Sequence, residues 1–117
     1  MLRIRRDSRG YLWFGTWEGL SIFDGYQFTN YTVDDGLPSP AVSDILETRS
    51  GEYWIATSHG LCRFDPRALP EHRFTPYDVT PGPFASDVNV LLERRNGAIW
   101  FGTEGGLWRL RQDDDLH

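Results

Sequence analysis

Apolar residues fall in short alternating runs along this chain and never hold a helical spacing for long. Gly10 leads into the run Tyr11-Leu12-Trp13-Phe14, Gly15-Thr16 closes it, and after a two-residue gap Gly19-Leu20 opens a second run. The same order returns at Gly51-Glu52-Tyr53-Trp54-Ile55-Ala56-Thr57 with Gly60-Leu61, and once more at Gly97-Ala98-Ile99-Trp100-Phe101-Gly102-Thr103 with Gly106-Leu107. A glycine turn, a run centred on Trp and a second run beginning at Gly-Leu make one hairpin, written three times.

Alternation and turn residues extend each copy to four strands, here called a to d in repeat order. The first repeat predicts a over Leu2 to Arg6, b over Tyr11 to Thr16, c over Leu20 to Asp24 and d over Tyr26 to Thr32. The second predicts Val42 to Glu47, Tyr53 to Thr57, Leu61 to Asp65 and His72 to Tyr77. The third predicts Val88 to Glu93, Ala98 to Thr103 and Leu107 to Arg111, where the apolar pattern ends in Gln112-Asp113-Asp114-Asp115 and no fourth strand follows. The tryptophans lie 41 positions apart from Trp13 to Trp54 and 46 from Trp54 to Trp100, and the extra residues sit in the Asp65-Pro66-Arg67-Ala68-Leu69-Pro70 connection, a surface insertion. The best helical candidate, Ala41 to Thr48, is read as a strand because its repeat partner Val88-Asn89-Val90-Leu91-Leu92 is rich in β-branched residues.

Strand b carries large apolar residues at both parities: Leu12 and Phe14 on one side, Tyr11 and Trp13 on the other. A strand buried on both faces belongs to a sheet held between other sheets. Four-stranded units of roughly 40 to 45 residues stacked face to face are the blades of a β-propeller. The expectation is therefore an all-β fold, a propeller fragment of about three four-stranded antiparallel blades, the last lacking its outer strand. Blade 1 covers about 1–34, blade 2 about 41–79, a partial blade 3 about 87–111, and an acidic tail 112–117. Trp13, Phe14, Trp54, Ile55, Trp100 and Phe101 are expected among the most buried residues. A chain that opens inside a repeat implies a longer protein, and an arc of three blades leaves apolar end faces to be covered by the remaining blades or by copies of itself.

Composition narrows the function. The chain has 117 residues, 39% of them hydrophobic and five of them Trp, enough for one domain with a core. A net charge of −5 argues against nucleic acid as a partner, because phosphate binding needs a basic face, and Arg3, Arg5, Arg6 and Arg9 form the single basic cluster. No stretch reaches the roughly 20 apolar residues of a membrane helix, so this segment is expected to make no direct membrane contact. The lone Cys62 excludes an internal disulfide.

The repeats resemble the two-component regulator propeller family. The resemblance rests on Asp35-Gly36-Leu37-Pro38-Ser39 before strand a, on Trp13-Phe14-Gly15-Thr16 and Trp54-Ile55-Ala56-Thr57 in strand b, and on Gly60-Leu61-Cys62-Arg63-Phe64-Asp65 in strand c. It implies the sensor portion of a bacterial hybrid histidine kinase or related signalling protein, in the periplasm, binding a ligand or a protein without catalysis. The family brings no fixed catalytic residues. Departures from the pattern are Ala56 in place of the other copies' glycine, Pro40 in place of Asn, and Gly82-Pro83-Phe84-Ala85-Ser86 as a loose form of the loop before strand a.

Against that background the candidate chemistry is modest. Trp13, Trp54 and Trp100 are read as blade-to-blade packing rather than a sugar platform, since large aromatics dominate core energetics. Thr16, Thr57 and Thr103 are read as caps of the following turn. His59, His72, His117 and Cys62 show no paired ligand spacing, so no metal and no cofactor is expected. Cys62 is read as a packed thiol and Asp34-Asp35 as turn formers. The b–c connections vary between copies while their flanks repeat, and they emerge at the same end as the loops entering strand a, Asp34 to Pro40 and Val79 to Ser86. That end is expected to face a ligand through Trp17, Glu18, Ser58, His59 and Glu104, whose groups suit a small polar ligand such as a saccharide, or a peptide. The opposite end is expected to offer tight glycine turns and the Pro66 to Pro70 insertion. An enzyme of the lyase or hydrolase kind, or a purely structural scaffold, are the alternative readings.

Overall fold

The computed structural model describes residues 3–77, 88–103 and 106–110, with Tyr77 and Leu110 described in backbone only. Among the described residues eleven strands form three antiparallel sheets, each a meander in chain order. The first holds β1 (Arg3–Arg6), β2 (Leu12–Gly15), β3 (Leu20–Phe23) and β4 (Phe28–Tyr31). The second holds β5 (Val42–Glu47), β6 (Tyr53–Thr57), β7 (Gly60–Phe64) and β8 (Phe74–Tyr77). The third holds β9 (Val88–Glu93), β10 (Ile99–Thr103) and β11 (Gly106–Leu110), with no fourth strand among the described residues. There is no α-helix among them, and Ala41 to Thr48 is strand over Val42–Glu47. These are the blades of a β-propeller.

Local chemistry sets where the outer strands begin. β4 starts at Phe28 rather than Tyr26 because Asp24 Oδ1 accepts the backbone N–H groups of Tyr26 and Gln27, at 2.9 and 3.0 Å, and holds both in the turn. β8 starts at Phe74 rather than His72 because Pro70–His72 forms a 3-10 turn with Pro at its start. A second 3-10 turn, Val33–Asp35, precedes β5: Thr32 and Asp35 cap each other's backbone, which gives Asp34-Asp35 the turn-forming part expected of them.

Two apolar layers hold the three sheets together. The first lies between sheets one and two and contains Trp13, Leu20, Ile45, Tyr53, Ile55, Cys62, Phe64 and Phe74. Trp13 stacks on Tyr53 with ring centroids 4.6 Å apart and meets Phe64 edge-on at 5.6 Å, geometries worth about 0.5–1.5 kcal/mol each beyond area burial. The second, between sheets two and three, contains Trp54, Ala56, Leu61, Val88, Leu91, Ile99 and Phe101. The middle strand of the middle blade, β6, is buried at every position, as a strand covered on both faces must be.

Two of the six expected core residues depart from this. Phe14 and Trp100 are only half-buried, whereas Trp13, Trp54, Ile55 and Phe101 are buried. The reason is parity. Trp13 and Trp54 point toward the following sheet and Ile55 and Phe101 toward the preceding one, so Phe14 faces away from sheet two on the first blade and Trp100 faces away from it on the third.

Close packing at the joint also explains a glycine. A Cβ on Gly15 would lie 2.8 Å from Val42 Cγ1 and 3.1 Å from the Val42 carbonyl oxygen, so the first sheet approaches the innermost strand of the second through a position without a side chain. Backbone bonds confirm the approach, with Val42 N–H donating to the Thr16 carbonyl at 2.8 Å.

Candidate functional site

The b–c connections are built as the sequence predicts, by threonine. Thr57 Oγ1 donates to the Gly60 carbonyl at 2.8 Å and accepts the His59 N–H at 3.1 Å. Thr16 does the same with Gly19 and Glu18, at 3.2 and 3.0 Å, and Thr103 Oγ1 donates to the Gly106 carbonyl. Gly19 takes φ +144, and a Cβ there would lie 2.4 Å from the Tyr31 carbonyl oxygen, so the turn passes tightly under the outer strand.

These turns set out the nominated residues. Trp17 and Glu18 stand exposed on the first turn, and their side chains make no hydrogen bond among the described residues. Ser58 is half-buried and its hydroxyl lies 2.6 Å from that of Ser39, which also accepts the Ala41 N–H. Through this pair the b–c turn of the second blade is tied to the Leu37-Pro38-Ser39 loop entering β5, so both loops share one end of the sheets. His59 is exposed, with Nδ1 3.3 Å from Ser58 Oγ. Ser58 and His59 are thus brought together, whereas Trp17 and Glu18 occupy the neighbouring turn. Glu104 and the loop Val79 to Ser86 lie outside the described residues.

The opposite end is richer than the sequence reading allowed. At the first joint a cavity of about 170 Å3 is lined by Arg5, Arg6, Asp7, Trp13, Glu47 and Tyr53 among others. Asp7 is buried there: it accepts the Trp13 indole N–H at 2.9 Å, the Tyr11 and Arg9 backbone N–H groups at 2.9 Å, and an Arg9 guanidinium N–H at 3.1 Å. Burial works against its ionisation, but these donors outweigh burial and hold the carboxyl below its ordinary value. Burial, reinforced by the Asp7 and Glu47 charges, raises the Tyr53 phenol instead. Arg9 also lies 4.1 Å over the Tyr11 ring and 5.8 Å from the ring centre of Tyr53 on the second blade, so it is part of the joint and not a loose turn residue.

Asp44 is the other residue that sequence reasoning missed. It has no exposed surface. A bulge between Val42 and Asp44 turns it inward, and Ser43 in the bulge donates its hydroxyl to the Val88 carbonyl. Asp44 accepts Arg3 Nε at 3.0 Å and Arg5 Nη2 at 3.1 Å from the first blade, Ile45 N–H at 2.8 Å from its own, and Leu91 N–H at 2.9 Å from the third. Burial again opposes ionisation, and the donors together prevail and lower its pKa. Three of the four arginines of the basic cluster are therefore committed to two carboxylates, Arg3 and Arg5 to Asp44 and Arg9 to Asp7. The available signal was a charged residue inside the apolar run Val42-Ser43-Asp44-Ile45-Leu46.

The side chains at neither end form a group of three or more metal-ligating residues among the described residues. No helix among them is long and apolar enough to cross a membrane.

Comparison with known proteins agrees with the geometry. The sequence model described as "Two component regulator propeller" matches residues 1–18 and 36–59, which hold the first two strands of the first and second repeats. No curated protein matches the chain. Among solved structures, the extracellular domain assigned to a hybrid two component system of B. thetaiotaomicron superposes on 97% of this chain with a TM-score of 0.78 at 25% identity. The extracellular domain assigned to a one component system of the same organism does so with a TM-score of 0.78 at 23% identity. This chain spans 16% of the length of each. Catalytically inactive virginiamycin B lyase of Staphylococcus aureus, solved with quinupristin, shares the fold over 94% of this chain and 37% of its own, with a TM-score of 0.71 at 20% identity. The chain thus has the β-propeller fold, and its first two repeats match the two-component regulator propeller model.

Proposed function

We propose that this chain forms part of the ligand-sensing domain of a two-component-type receptor, outside the cytoplasmic membrane, and that it binds without catalysing a reaction. The observation that carries this is the likeness over 97% of the chain, at 25% identity, to an extracellular domain of a hybrid two component system, in company with the matching repeats. The lyase likeness, at 20% identity, is one of fold alone.

The ligand-facing end in this reading is that of Trp17, Glu18, Ser58, His59 and Glu104. An exposed indole and carboxylate on the first turn, with an imidazole beside a hydroxyl pair on the second, offer stacking and hydrogen-bonding groups that suit a saccharide or a short peptide. The test uses the full receptor containing this chain, with panels of neutral oligosaccharides and short peptides as probes and a transcriptional reporter as readout. Trp17→Ala, His59→Ala and Glu104→Ala are expected to lower affinity or signalling about tenfold while leaving thermal unfolding unchanged. Arg67→Ala, in the exposed insertion at the other end, serves as the control. If Arg67→Ala lowers signalling in folded protein and the three others do not, the face is wrong; turnover of a probe by the receptor removes the binding-only reading.

A further inference from the structure

Each blade-to-blade joint carries the same polar latch. At the first, the Ser8 backbone N–H, in the turn after β1, donates to Glu47 Oε1 at 2.8 Å, and Glu47 is the last residue of β5. At the second, the Arg49 N–H, in the turn after β5, donates to Glu93 Oε1 at 3.0 Å, and Glu93 is the last residue of β9. Ser8, Arg49 and Arg95 occupy one repeat position, and Arg6, Glu47 and Glu93 another. The turn of one blade thus recognises a carboxylate that ends the innermost strand of the next.

An apolar pair accompanies the latch. Trp13 and Leu20 are each 1% exposed beneath the second sheet, and Trp54 and Leu61 are 2% and 0% exposed beneath the third. The third copy of the pair is uncovered: Trp100 is half-buried and Leu107 is 65% exposed, with Leu92 at 53% and Val90 at 40% on the same face by strand register.

We propose that this face of the third sheet, with the Arg95 backbone N–H beside it, docks a further blade of the same repeat type whose innermost strand ends in a carboxylate. The apolar pair supplies area that any blade would cover, and the latch chooses among blades. A second copy of this chain is the wrong occupant. The residue it would present to the latch is Arg6, whose guanidinium would meet the exposed Arg94 and Arg95 instead of accepting a hydrogen bond. This inference rests on the repetition of the joint and not on the sensing reading, so either can fail alone.

The experiment is sedimentation velocity on the 117-residue chain as wild type, Arg6→Ala, Arg6→Glu, and Arg6→Glu with Leu92→Asp, each checked for strand content by circular dichroism. Arg6→Glu creates the missing acceptor and is expected to tighten head-to-tail self-association at least about tenfold over wild type, the worth of one hydrogen bond to a charged group. Arg6→Ala removes repulsion without adding an acceptor and gains less. Leu92→Asp returns the Arg6→Glu chain to the wild-type level. Wild type associating as tightly as Arg6→Glu overturns the proposal in favour of a second copy as the natural occupant. An Arg6→Glu chain no tighter than Arg6→Ala removes the latch, and association that survives Leu92→Asp removes the face.

Discussion

Replacing Asp44 by Ala takes one carboxylate out of a position where three blades meet. The Leu91 N–H is buried and loses its acceptor, which costs about 1–3 kcal/mol for an unsatisfied buried donor. Arg3 and Arg5 lose the same partner, but their side chains are 39% and 46% exposed and can turn to water, so each adds only about 0.5 kcal/mol. The sum is about 2–4 kcal/mol, near the range found when one partner of a buried ion pair is removed. With a urea dependence of about 2 kcal/mol per molar, the middle of the range for small proteins, the midpoint should fall by about 1–2 M at unchanged slope. Tryptophan fluorescence reads the transition, since Trp13 and Trp54 sit in the two layers that Asp44 helps to align. Arg5→Ala is expected to cost no more than about 1 kcal/mol. Should Asp44→Ala fall within about 0.5 kcal/mol of wild type, the carboxylate would not be what joins the innermost strands.

Asp7 and Asp44 both titrate below the ordinary carboxylate value when folded, so their contribution is complete above the unfolded-chain value near ~4 and is lost as pH falls through the lower folded values. Urea midpoints measured from neutral pH downward should therefore decline in that acid range, with a shallower decline in Asp7→Asn and Asp44→Asn; a midpoint that rises on acidification refutes the assignment. Gly15→Ala should destabilise by about 1–3 kcal/mol, because its Cβ would lie 2.8 Å from Val42 Cγ1, and an unchanged melting temperature would show that the joint relaxes freely. Burial pushes the Cys62 thiol up to about 12, so the folded chain should resist a thiol reagent at pH 8 and react only as it unfolds. Rapid labelling of the folded chain would place Cys62 at an accessible site instead.

The sequence by itself determined the unit and its multiplicity. Glycine turns and the Trp-centred run recur in register three times, and a period-2 pattern with apolar residues at both parities leaves a strand little choice but to lie between two sheets; the second-blade strands Val42 to Glu47 and Tyr53 to Thr57 were legible to the residue for that reason. The threonine caps were legible too, because the bonds from Thr16 and Thr57 to their turns span only two or three residues. What only the tertiary structure decided lies between blades. Whether Phe14 and Trp100 are buried depends on which neighbour covers each face, and two residues with the same repeat grammar as Ile55 and Trp54 end half-exposed for want of one. The charged pattern Arg3, Arg5, Arg9 read as a basic patch until Asp44, 39 and 41 positions away, and Asp7 were seen to absorb it. The latch from Ser8 to Glu47 and from Arg49 to Glu93 likewise joins residues 39 and 44 positions apart. Such contacts are set by how twisted sheets stack about an axis, and local periodicity carries no record of which side chains that stacking brings face to face.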